Sequence, residues 1–412
     1  MLTALDVRTE FADAHSVASE AQRQGVGALV IGGDHTGLAI ARSLGRIGIP
    51  VYILEDQHSI ANYSRYAERV IRVKDVRDQE KTVDSVMEVG HRFGLQGWVL
   101  FPTRDENVAA FSLHRDRLDR CYRVTTPPWS AVKWAWNKNN TYALAKELGI
   151  PCPQTWNVSC VDELAFLDSK LPLAIKPAVK ENFFYATGAK AWRANTPQQL
   201  RQLFADAVRQ VSVEEVMVQE IIPGDGQQQF SFCAFFKDGK AHSTLMARRL
   251  RQYPREFGRA ATYVESVDIP ELEELSERFL QAINFYGLVE IEFKWDPRDG
   301  QYKLLDVNAR TWGFHGLGQA AGIDFPLILF ADQLGMDLES RRAEPGIGWM
   351  RALTDIPVAA ADMMRGYLNP SAYLESIRNT RAESVFCIKD PLPSLADAIL
   401  LPLLLLLKHS KR

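Results

Sequence analysis

Residues 288–314, LVEIEFKWDPRDGQYKLLDVNARTWGF, place acidic side chains where strand formation alone does not call for them. Residues 288–295 alternate with a period of two, which predicts a β-strand with two different faces. One face carries Leu288, Glu290, Glu292 and Lys294, and the other carries Val289, Ile291, Phe293 and Trp295. The turn residues 296–300 and a second run at 302–307 follow. The segment therefore predicts a β-hairpin with a fully apolar core face.

The other face of this hairpin suggests a cation site. If the hairpin is centred on Arg298, Glu290 lies opposite Asp306 and Leu288 lies opposite Asn308. Directly opposed side chains have Cβ atoms roughly 4.5 to 5.5 Å apart, and like charges at that distance destabilise a sheet. Carboxylates and an amide oxygen, together with phosphate oxygens, suit Mg²⁺. A metal–nucleotide site is one interpretation, and a solvated face that carries acids by chance is the other.

The runs VEIEF and LLDVNAR resemble the metal-binding hairpin of the ATP-grasp superfamily, in which an acid on one strand faces Glu-x-Asn on the next. The resemblance implies that Glu290, Asp306 and Asn308 bind Mg²⁺, or Mn²⁺ in its place. Asp306 stands where Glu is more common in the family. Arg310 matches an arginine that many members direct at phosphate or at the acceptor substrate, so it is a candidate catalytic residue.

Composition describes an ordinary globular protein. The 412 residues are 46% hydrophobic and 24% charged, which predicts two or three domains with ample core. A net charge of −3 and dispersed basic residues argue against nucleic acid as a partner. The five cysteines form no CxxC pair, and the first residues lack an apolar signal region. A cytoplasmic location is therefore expected.

The N-terminal region has the pattern of a βαβ unit. An apolar run at 26–31 ends in GGDHTG, and a second strand is expected at 50–54. Asp34 occupies the position of the middle glycine of GxGxxG, where the pyrophosphate of a dinucleotide would approach the backbone. This disfavours NAD or FAD and predicts a doubly wound domain without that cofactor. The family resemblance implies the same for residues 1–130, because ATP-grasp chains commonly begin with such a pre-ATP-grasp domain.

A third strand is expected at residues 98–101, followed by polar residues. Thr103 and Glu106 have the spacing of a helix capping box. They also follow the carboxyl end of a strand, which is where open α/β sheets bind ligands. The cap is the preferred interpretation because it explains both residues without any ligand.

The resemblance implies a set of nucleotide-binding residues in the middle of the chain. Lys138 and Lys176 match the two phosphate-contacting lysines, and Lys176 ends an apolar strand, where an unpaired lysine is costly. The run QEIIPG matches the adenine-binding hinge, and the ribose contact is left between Asp225 and Gln229. The flap expected at 179–188 is aromatic here instead of glycine-rich, and Lys190 beyond it is a weaker phosphate candidate. The hinge residues are Gln219, Glu220, Ile221 and Ile222.

Arg248, Arg249 and Arg251 end the second strand of a hairpin predicted at 228–250. They form either a solvated strand edge or a clamp for phosphate or carboxylate. Arg248 is the member of this group taken as a candidate catalytic residue.

The expected architecture is α/β and α+β. It consists of the doubly wound domain, a two-lobed ATP-grasp domain at 131–335 divided near residue 222, and an extension at 336–412. The tail at 395–412 holds an apolar run about half the length of a membrane span, closed by basic residues. It is interpreted as a helix docked on the protein itself, with a peripheral membrane or protein contact as the alternative. A homodimer is also considered.

The resemblance implies a ligase in which ATP phosphorylates a carboxylate and an amine then attacks the acyl phosphate. It points to the carboxylate–amine ligases that include D-aspartate ligase, with small carboxylates and amines, amino acids among them, as substrates. The alternatives are a carboxylase of the same superfamily that uses bicarbonate, and a membrane-associated nucleotide-binding protein without turnover.

Overall fold

The computed structural model describes residues 13–258 and 260–409. The first part of the chain forms a parallel five-stranded sheet in the order β3-β2-β1-β4-β5. Its strands are β1 (Ala28–Ile31), β2 (Val51–Glu55), β3 (Arg69–Arg72), β4 (Trp98–Pro102) and β5 (Tyr122–Val124). Its helices are α1 (Ala14–Gln24), α2 (His35–Gly45), α3 (Gln79–Phe93), α4 (Asp105–Leu113) and α5 (Arg115–Leu118). The central strand β1 is fully buried, as its continuous apolar sequence predicts.

Asp34 has a local role at the start of α2. Its Oδ1 accepts hydrogen bonds from the backbone N–H groups of Thr36, at 2.9 Å, and Gly37, at 3.3 Å. These are donors that a pyrophosphate would otherwise use at a helix N-terminus. Gly37 itself is required, because a Cβ there would lie 2.0 Å from the carbonyl oxygen of Gly32. The carboxylate in the glycine-rich turn is therefore the cap of the helix.

The capping box expected after β4 is wrong. The N-cap residue of α4 is Arg104, and its side chain makes no capping bond. The Thr103 hydroxyl instead donates 2.6 Å to the carbonyl oxygen of Ile31 on β1, and Glu106 accepts a hydrogen bond from the Tyr185 hydroxyl. The tertiary contacts of both side chains outweigh the local cap that their spacing suggested.

Two short helices lead from the first sheet into a small antiparallel sheet of order β6-β9-β7-β8. The elements in chain order are α6 (Trp129–Trp136), α7 (Lys138–Glu147), β6 (Thr155–Asn157), β7 (Leu173–Pro177), α8 (Lys180–Thr187), β8 (Trp192–Ala194), α9 (Pro197–Val208) and β9 (Val216–Glu220). The segment expected to be a phosphate flap is helix α8, and it ends at Gly188 with φ of 70°.

The remaining strands form a larger sheet of order β14-β13-β10-β11-β12-β16-β17, with β15 paired to β11. Its strands are β10 (Gln229–Lys237), β11 (Lys240–Tyr253), β12 (Ala260–Val267), β13 (Gly287–Asp296), β14 (Gln301–Asn308), β15 (Arg341–Arg342), β16 (Gly348–Met350) and β17 (Thr380–Glu383). Its helices are α10 (Pro270–Ala282), α11 (Gly316–Ala320), α12 (Phe325–Gln333), α13 (Ala352–Met364), α14 (Pro370–Asn379) and α15 (Leu392–His409).

Strands β15 to β17 join this sheet although they lie beyond residue 335. The sheet therefore continues past the expected lobe boundary, and the division of the chain into domains at 130, 222 and 335 remains a proposal. The overall combination of a parallel sheet with two largely antiparallel sheets confirms the expected α/β and α+β class.

The hairpin of β13 and β14 forms as predicted, but its expected register is wrong. Glu290 pairs with Asn308 and Glu292 with Asp306, whereas Phe293 pairs with Leu304. The turn joins Asp296 to Gln301, and the register shifts by one residue between Glu292 and Phe293. This bulge, together with a turn centred half a residue later than expected, moves Asp306 from Glu290 to Glu292.

The tail expected at 395–412 falls partly within helix α15. The backbone is described to His409, while the side chains beyond residue 400 and residues 410–412 lie outside the described part. In the part of the chain that the structure describes, no helix is both long and apolar enough to cross a bilayer.

Candidate functional site

A cleft of about 850 Å³ opens between the small antiparallel sheet and the larger sheet. Its size falls within the usual range for small-molecule sites. The cleft is rich in basic side chains, which suits a polyanionic ligand. The residues predicted from sequence that line it are Lys138, Lys176, Gln219, Glu220, Ile221, Ile222, Gln229 and Asp306. Lys190 and Asp225 line it too.

Lys176 extends from the end of strand β7 into this cleft. Its ammonium donates 3.2 Å to the Tyr142 hydroxyl and 3.2 Å to Oε1 of Gln219. Gln219 in turn donates 2.8 Å to the Thr155 hydroxyl. Both acceptors of the lysine are neutral oxygens, which hold the ammonium in place without cancelling its charge. The arrangement suits a positioned phosphate contact.

Lys138 is the first residue of helix α7 and is 7% exposed. Its ammonium forms an ion pair with Asp306 on β14. Asn137 caps the same helix by accepting a hydrogen bond from the backbone N–H of Asn139. The cap fixes the start of the helix, and Lys138 therefore lies against the acidic end of the hairpin.

Glu290, Glu292, Asp306 and Asn308 come together at the end of the hairpin away from its turn. The Asn308 amide donates 3.2 Å to Oε2 of Glu290 and 3.2 Å to Oε1 of Glu292. The Ser231 hydroxyl donates 2.9 Å to Oε1 of Glu290. Burial, with the neighbouring Glu292 carboxylate, raises the pKa of Glu290 from its ordinary 4.5 to about 7. This end of the hairpin is therefore short of positive charge.

The donor set matches the chemistry of Mg²⁺, since it supplies carboxylate oxygens and an amide oxygen. The raised pKa of Glu290 shows that a further cation would be favourable at this point. Among the described residues, however, no three Asp, Glu, His or Cys side chains are arranged as a preformed metal site. Lys138 pairs with Asp306, and Arg249 lies 3.5 Å from Glu292. Two of the acids are thus already paired with basic side chains, so the donor set would fit a magnesium ion after these ion pairs rearrange.

Arg310 follows this cluster and forms a bidentate ion pair with Asp105 at the start of α4. Its Nε donates 2.7 Å to Oδ1 of Asp105, and its Nη2 donates 3.0 Å to Oδ2. The same Nη2 lies 3.5 Å from Oδ1 of Asn308. The acid that holds Arg310 thus comes from helix α4, and Glu292, the partner considered from sequence, is not the one that holds it. Arg310 joins the acid–amide cluster to α4.

Arg248, the candidate catalytic residue of the arginine group, does not line the cleft. On β11 it pairs with Phe230, lies over that ring at 5.7 Å, and donates 2.8 Å to the carbonyl oxygen of Gln227. Side chains alternate along a strand, and Arg249 is therefore the member of the group that faces the cleft and Glu292. Arg251 forms a buried bidentate pair with Asp355, which attaches α13 to the larger sheet.

The residues of the predicted hinge form hydrogen bonds with neighbouring side chains and backbone groups. Glu220 accepts hydrogen bonds from Nη2 of Arg298 and from the backbone N–H of Gln154, both at 2.8 Å. The Lys294 ammonium donates 2.9 Å to the carbonyl oxygen of Ile222. Of the two ribose candidates, Asp225 pairs with Arg255 at 2.8 Å, and Gln229 lies 3.4 Å from Arg249. Both candidates line the cleft, and the choice between them stays open.

Sequence reasoning missed Arg249, Glu292 and Asp105 as members of the site. A register of the hairpin shifted by two residues would have identified Glu292 as the partner of Asp306. Strand alternation from Gln229 would have identified Arg249, which pairs directly with it. Nothing local to Asp105 indicates its partner, because Arg310 is 205 residues away.

Comparisons with known proteins agree with this geometry. No family model matches the sequence. The chain is 24% identical over 226 residues to D-aspartate ligase of Enterococcus faecium (strain Aus0004), and the match covers 52% of this chain and 53% of that protein. The chain thus spans about half the length of the curated relative it matches.

Two solved structures resemble the fold. One is an L-amino acid ligase from Bacillus licheniformis, with a TM-score of 0.59 and 17% identity, covering 76% of this chain and 75% of that one. The other is the biotin carboxylase domain of the Hydrogenobacter thermophilus 2-oxoglutarate carboxylase with MgADP and bicarbonate. Its TM-score is 0.61 at 13% identity, covering 78% of this chain and 73% of that one.

The fold of the chain is that of the ATP-grasp superfamily, as the sequence resemblance predicted. The sequence similarity to D-aspartate ligase, over half of each chain, places the resemblance among ligases of that superfamily.

Proposed function

We propose that the protein is an ATP-dependent ligase that joins a small carboxylate to an amine and releases ADP and phosphate. The observation that carries the proposal is that two positioned lysines, Lys138 and Lys176, and two acids, Glu292 and Asp306, line one cleft. The buried Glu290 and Asn308 lie directly behind Glu292. The similarity to D-aspartate ligase and the likeness to an L-amino acid ligase support it.

ATP would lie in the cleft with its triphosphate beside Lys138 and Lys176. Lys176 is held by neutral partners and would contact phosphate oxygens directly. Lys138 would exchange its contact with Asp306 for a contact with phosphate. The backbone and apolar side chains of residues 219–222 would hold the adenine ring, with Asp225 or Gln229 at the ribose.

Magnesium would be held by Glu290, Asp306 and Asn308, with Glu292 as a further carboxylate. When bound, it would neutralise charge on the transferring phosphate. Release of Lys138 and Arg249 from the acids frees both basic side chains for phosphate oxygens at the same time. Binding of the metal and of the nucleotide would therefore favour each other. We keep Mn²⁺ as an alternative ion for the same oxygen ligands.

The chemistry is a transfer of the γ-phosphoryl group to a carboxylate oxygen, followed by attack of an amine on the acyl phosphate. Arg310 is two residues beyond Asn308, and its planar guanidinium would bind the transferring phosphate or the carboxylate. An acyl phosphate hydrolyses readily, so the cleft must exclude water. Helix α8, which follows the strand of Lys176, is joined to the N-terminal part of the chain, because the Tyr185 hydroxyl donates to Glu106 and Arg77 stacks on the Tyr185 ring at 4.5 Å.

The test is a screen of ADP formation by the purified chain with Mg-ATP and pairs of amino acids or other small carboxylates and amines. A ligase forms ADP in proportion to an amide product only when both substrates are present. Dependence on bicarbonate would support the carboxylase alternative. We retain that alternative because of the likeness to the biotin carboxylase domain. Tight nucleotide binding without turnover under any condition would contradict both enzymes and support a regulatory protein.

Several finer features remain part of the proposal. All five cysteines are unpaired thiols, which suits the reducing cytoplasm that we propose as the location. The homodimer is proposed without an interface. The membrane or protein contact expected for 395–412 is kept as a proposal that is independent of the ligase activity.

A further inference from the structure

The C-terminal extension carries most of the exposed large apolar side chains among the described residues. On α15, Leu392 is 56% exposed, Leu395 is 62% exposed and Ile399 is 69% exposed. Their spacing of three and four residues places them on one side of the helix. The remaining surface of the helix, which includes Ala396 and Asp397, is buried. The helix is therefore attached to the protein by one face and displays a continuous apolar stripe on the other.

A second stripe lies on α13, where Leu353 is 39% exposed, Ile356 is 57% exposed and Met364 is 83% exposed. Arg351, just before α13, donates 3.0 Å to Asp397 in α15. This pair brings the start of α13 to the middle of α15, so the two stripes belong to neighbouring elements. Patches of this kind mark interaction sites more often than isolated apolar residues do.

Basic residues outnumber unpaired acids at the surface of the extension within residues 352–412. Four of its acids are held by arginines outside residues 352–412, which leaves the basic residues of the extension in excess at the surface. The pairs are Asp355 with Arg251, Asp362 with Arg255, Asp390 with Arg42, and Asp397 with Arg351. Arg365, Arg378 and Arg381 are exposed in the same extension.

The sequence continues this pattern to the end of the chain. Residues 398–407, AILLPLLLLL, contain no polar residue, and Lys408, His409, Lys411 and Arg412 follow. At 1.5 Å per residue, ten helical residues extend about 15 Å, half the thickness of the hydrocarbon core of a bilayer. The segment is too short to span a membrane, but its composition suits a helix lying in the interface.

We propose that the exposed apolar stripes of α15 and α13 bind the surface of a membrane that contains anionic lipids. Apolar side chains would enter the boundary between headgroups and acyl chains, and the basic residues of the extension would contact the negative headgroups. A second copy of the chain is the competing occupant, and the experiment below distinguishes it.

The test uses the full-length protein and sedimentation with two kinds of vesicle, one of phosphatidylcholine alone and one that also contains phosphatidylglycerol. We expect binding to the second kind, weakened by salt. The double variant Leu395→Glu, Ile399→Glu should lower that binding at least about tenfold. The matched control is Leu113→Glu, Phe166→Glu, which alters two apolar residues that are 45% and 57% exposed elsewhere, and it should bind as the parent does.

A second variant, Lys408→Glu, Lys411→Glu, Arg412→Glu, tests the charge component and leaves the described apolar side chains intact. We expect it to lose about tenfold in affinity for anionic vesicles or more. Equal loss in the Leu113 and Phe166 control, or no binding of the parent to anionic vesicles, would overturn the proposal. A stable dimer broken by the Leu395 and Ile399 variant would overturn it in favour of a second copy. Nucleotide affinity should stay at the parent value in both C-terminal variants, which separates this proposal from that of the ligase.

Discussion

The two ends of the β13–β14 hairpin hold acidic clusters of opposite character. At the turn, Asp296 has a fully buried side chain and accepts hydrogen bonds from Arg298, while Lys303 lies 2.6 Å away. At the far end, Glu290 is also buried, but its hydrogen bonds come from Ser231 and Asn308, which carry no charge. One hairpin thus contains a fully compensated carboxylate and an uncompensated one.

The pKa values move in opposite directions for this reason. Hydrogen bonds from Arg298, and then from Lys303, lower the pKa of Asp296 well below its ordinary range. Burial and the Glu292 carboxylate raise that of Glu290. A network that satisfies its own charges stabilises the fold, whereas a surplus of negative charge destabilises it until a cation binds. The turn end is therefore structural, and the far end is where we propose that a metal-bound nucleotide lies.

The largest expected effect is on enzymatic activity, and it distinguishes the two ends of the β13–β14 hairpin. Asp306→Asn should keep the fold and lower Mg-ATP turnover at least about a hundredfold, because a ligand charge is lost while the shape is kept. Asp296→Asn should leave turnover per folded molecule unchanged. Initial rates of ADP formation, normalised to the folded fraction, measure both. Turnover of the Asp306 variant at the parent rate would show that the metal assignment is wrong.

The next effect is on stability at the turn end. Asp296→Asn should lower the free energy of unfolding by about 1.5 to 3 kcal/mol at neutral pH, since charged hydrogen bonds are lost. The folded-state pKa of Asp296 is depressed, so its contribution is present above the pKa of the unfolded chain and is lost as the pH falls through the folded value. Denaturant unfolding of the parent and the variant should therefore converge in acid. A difference that persists unchanged at low pH would contradict the assigned cause.

Arg310 tests whether the far end acts on a substrate. Arg310→Lys should lower turnover about tenfold to a hundredfold while ATP affinity changes little, because lysine cannot reproduce a bidentate contact with the transferring group. Calorimetric ATP binding and turnover are measured on the same preparation. Asp105→Asn removes the partner of Arg310 and serves as a control for its structural role. If the lysine variant loses stability but keeps its turnover per folded molecule, Arg310 is part of the scaffold only.

The smallest expected effect is a change in the free energy of unfolding with the opposite sign to that of Asp296→Asn. Glu290→Gln should raise the free energy of unfolding by about 1 to 2 kcal/mol above pH 7 in the absence of Mg-ATP, since an uncompensated charge is removed. The folded pKa of Glu290 is raised, so the parent loses stability as the pH rises from 4.5 to about 7, and the variant does not. Unfolding curves across that range measure the effect. Equal pH dependence in both proteins would contradict the raised pKa.

Local patterns were sufficient for much of the fold. The alternation of residues 288–295 predicted strand β13 and its core face, and the apolar run before GGDHTG predicted β1 and the start of the parallel sheet. Lys176 was placed correctly at the end of a strand for the same reason. Period and capping depend on neighbours within a few residues, and the sequence displays them directly.

The partners of the charged residues were decided by the tertiary structure. A one-residue bulge and a turn centred half a residue later changed the acid opposite Asp306, and strand alternation placed Arg249 instead of Arg248 at the cleft. The sequence by itself determined which elements form and that acids, lysines and an arginine gather near one hairpin. Only the folded chain decided that Asp105 holds Arg310 and that Ser231 and Asn308, which are uncharged, donate hydrogen bonds to Glu290, because such pairing depends on distances across hundreds of residues that no local pattern encodes.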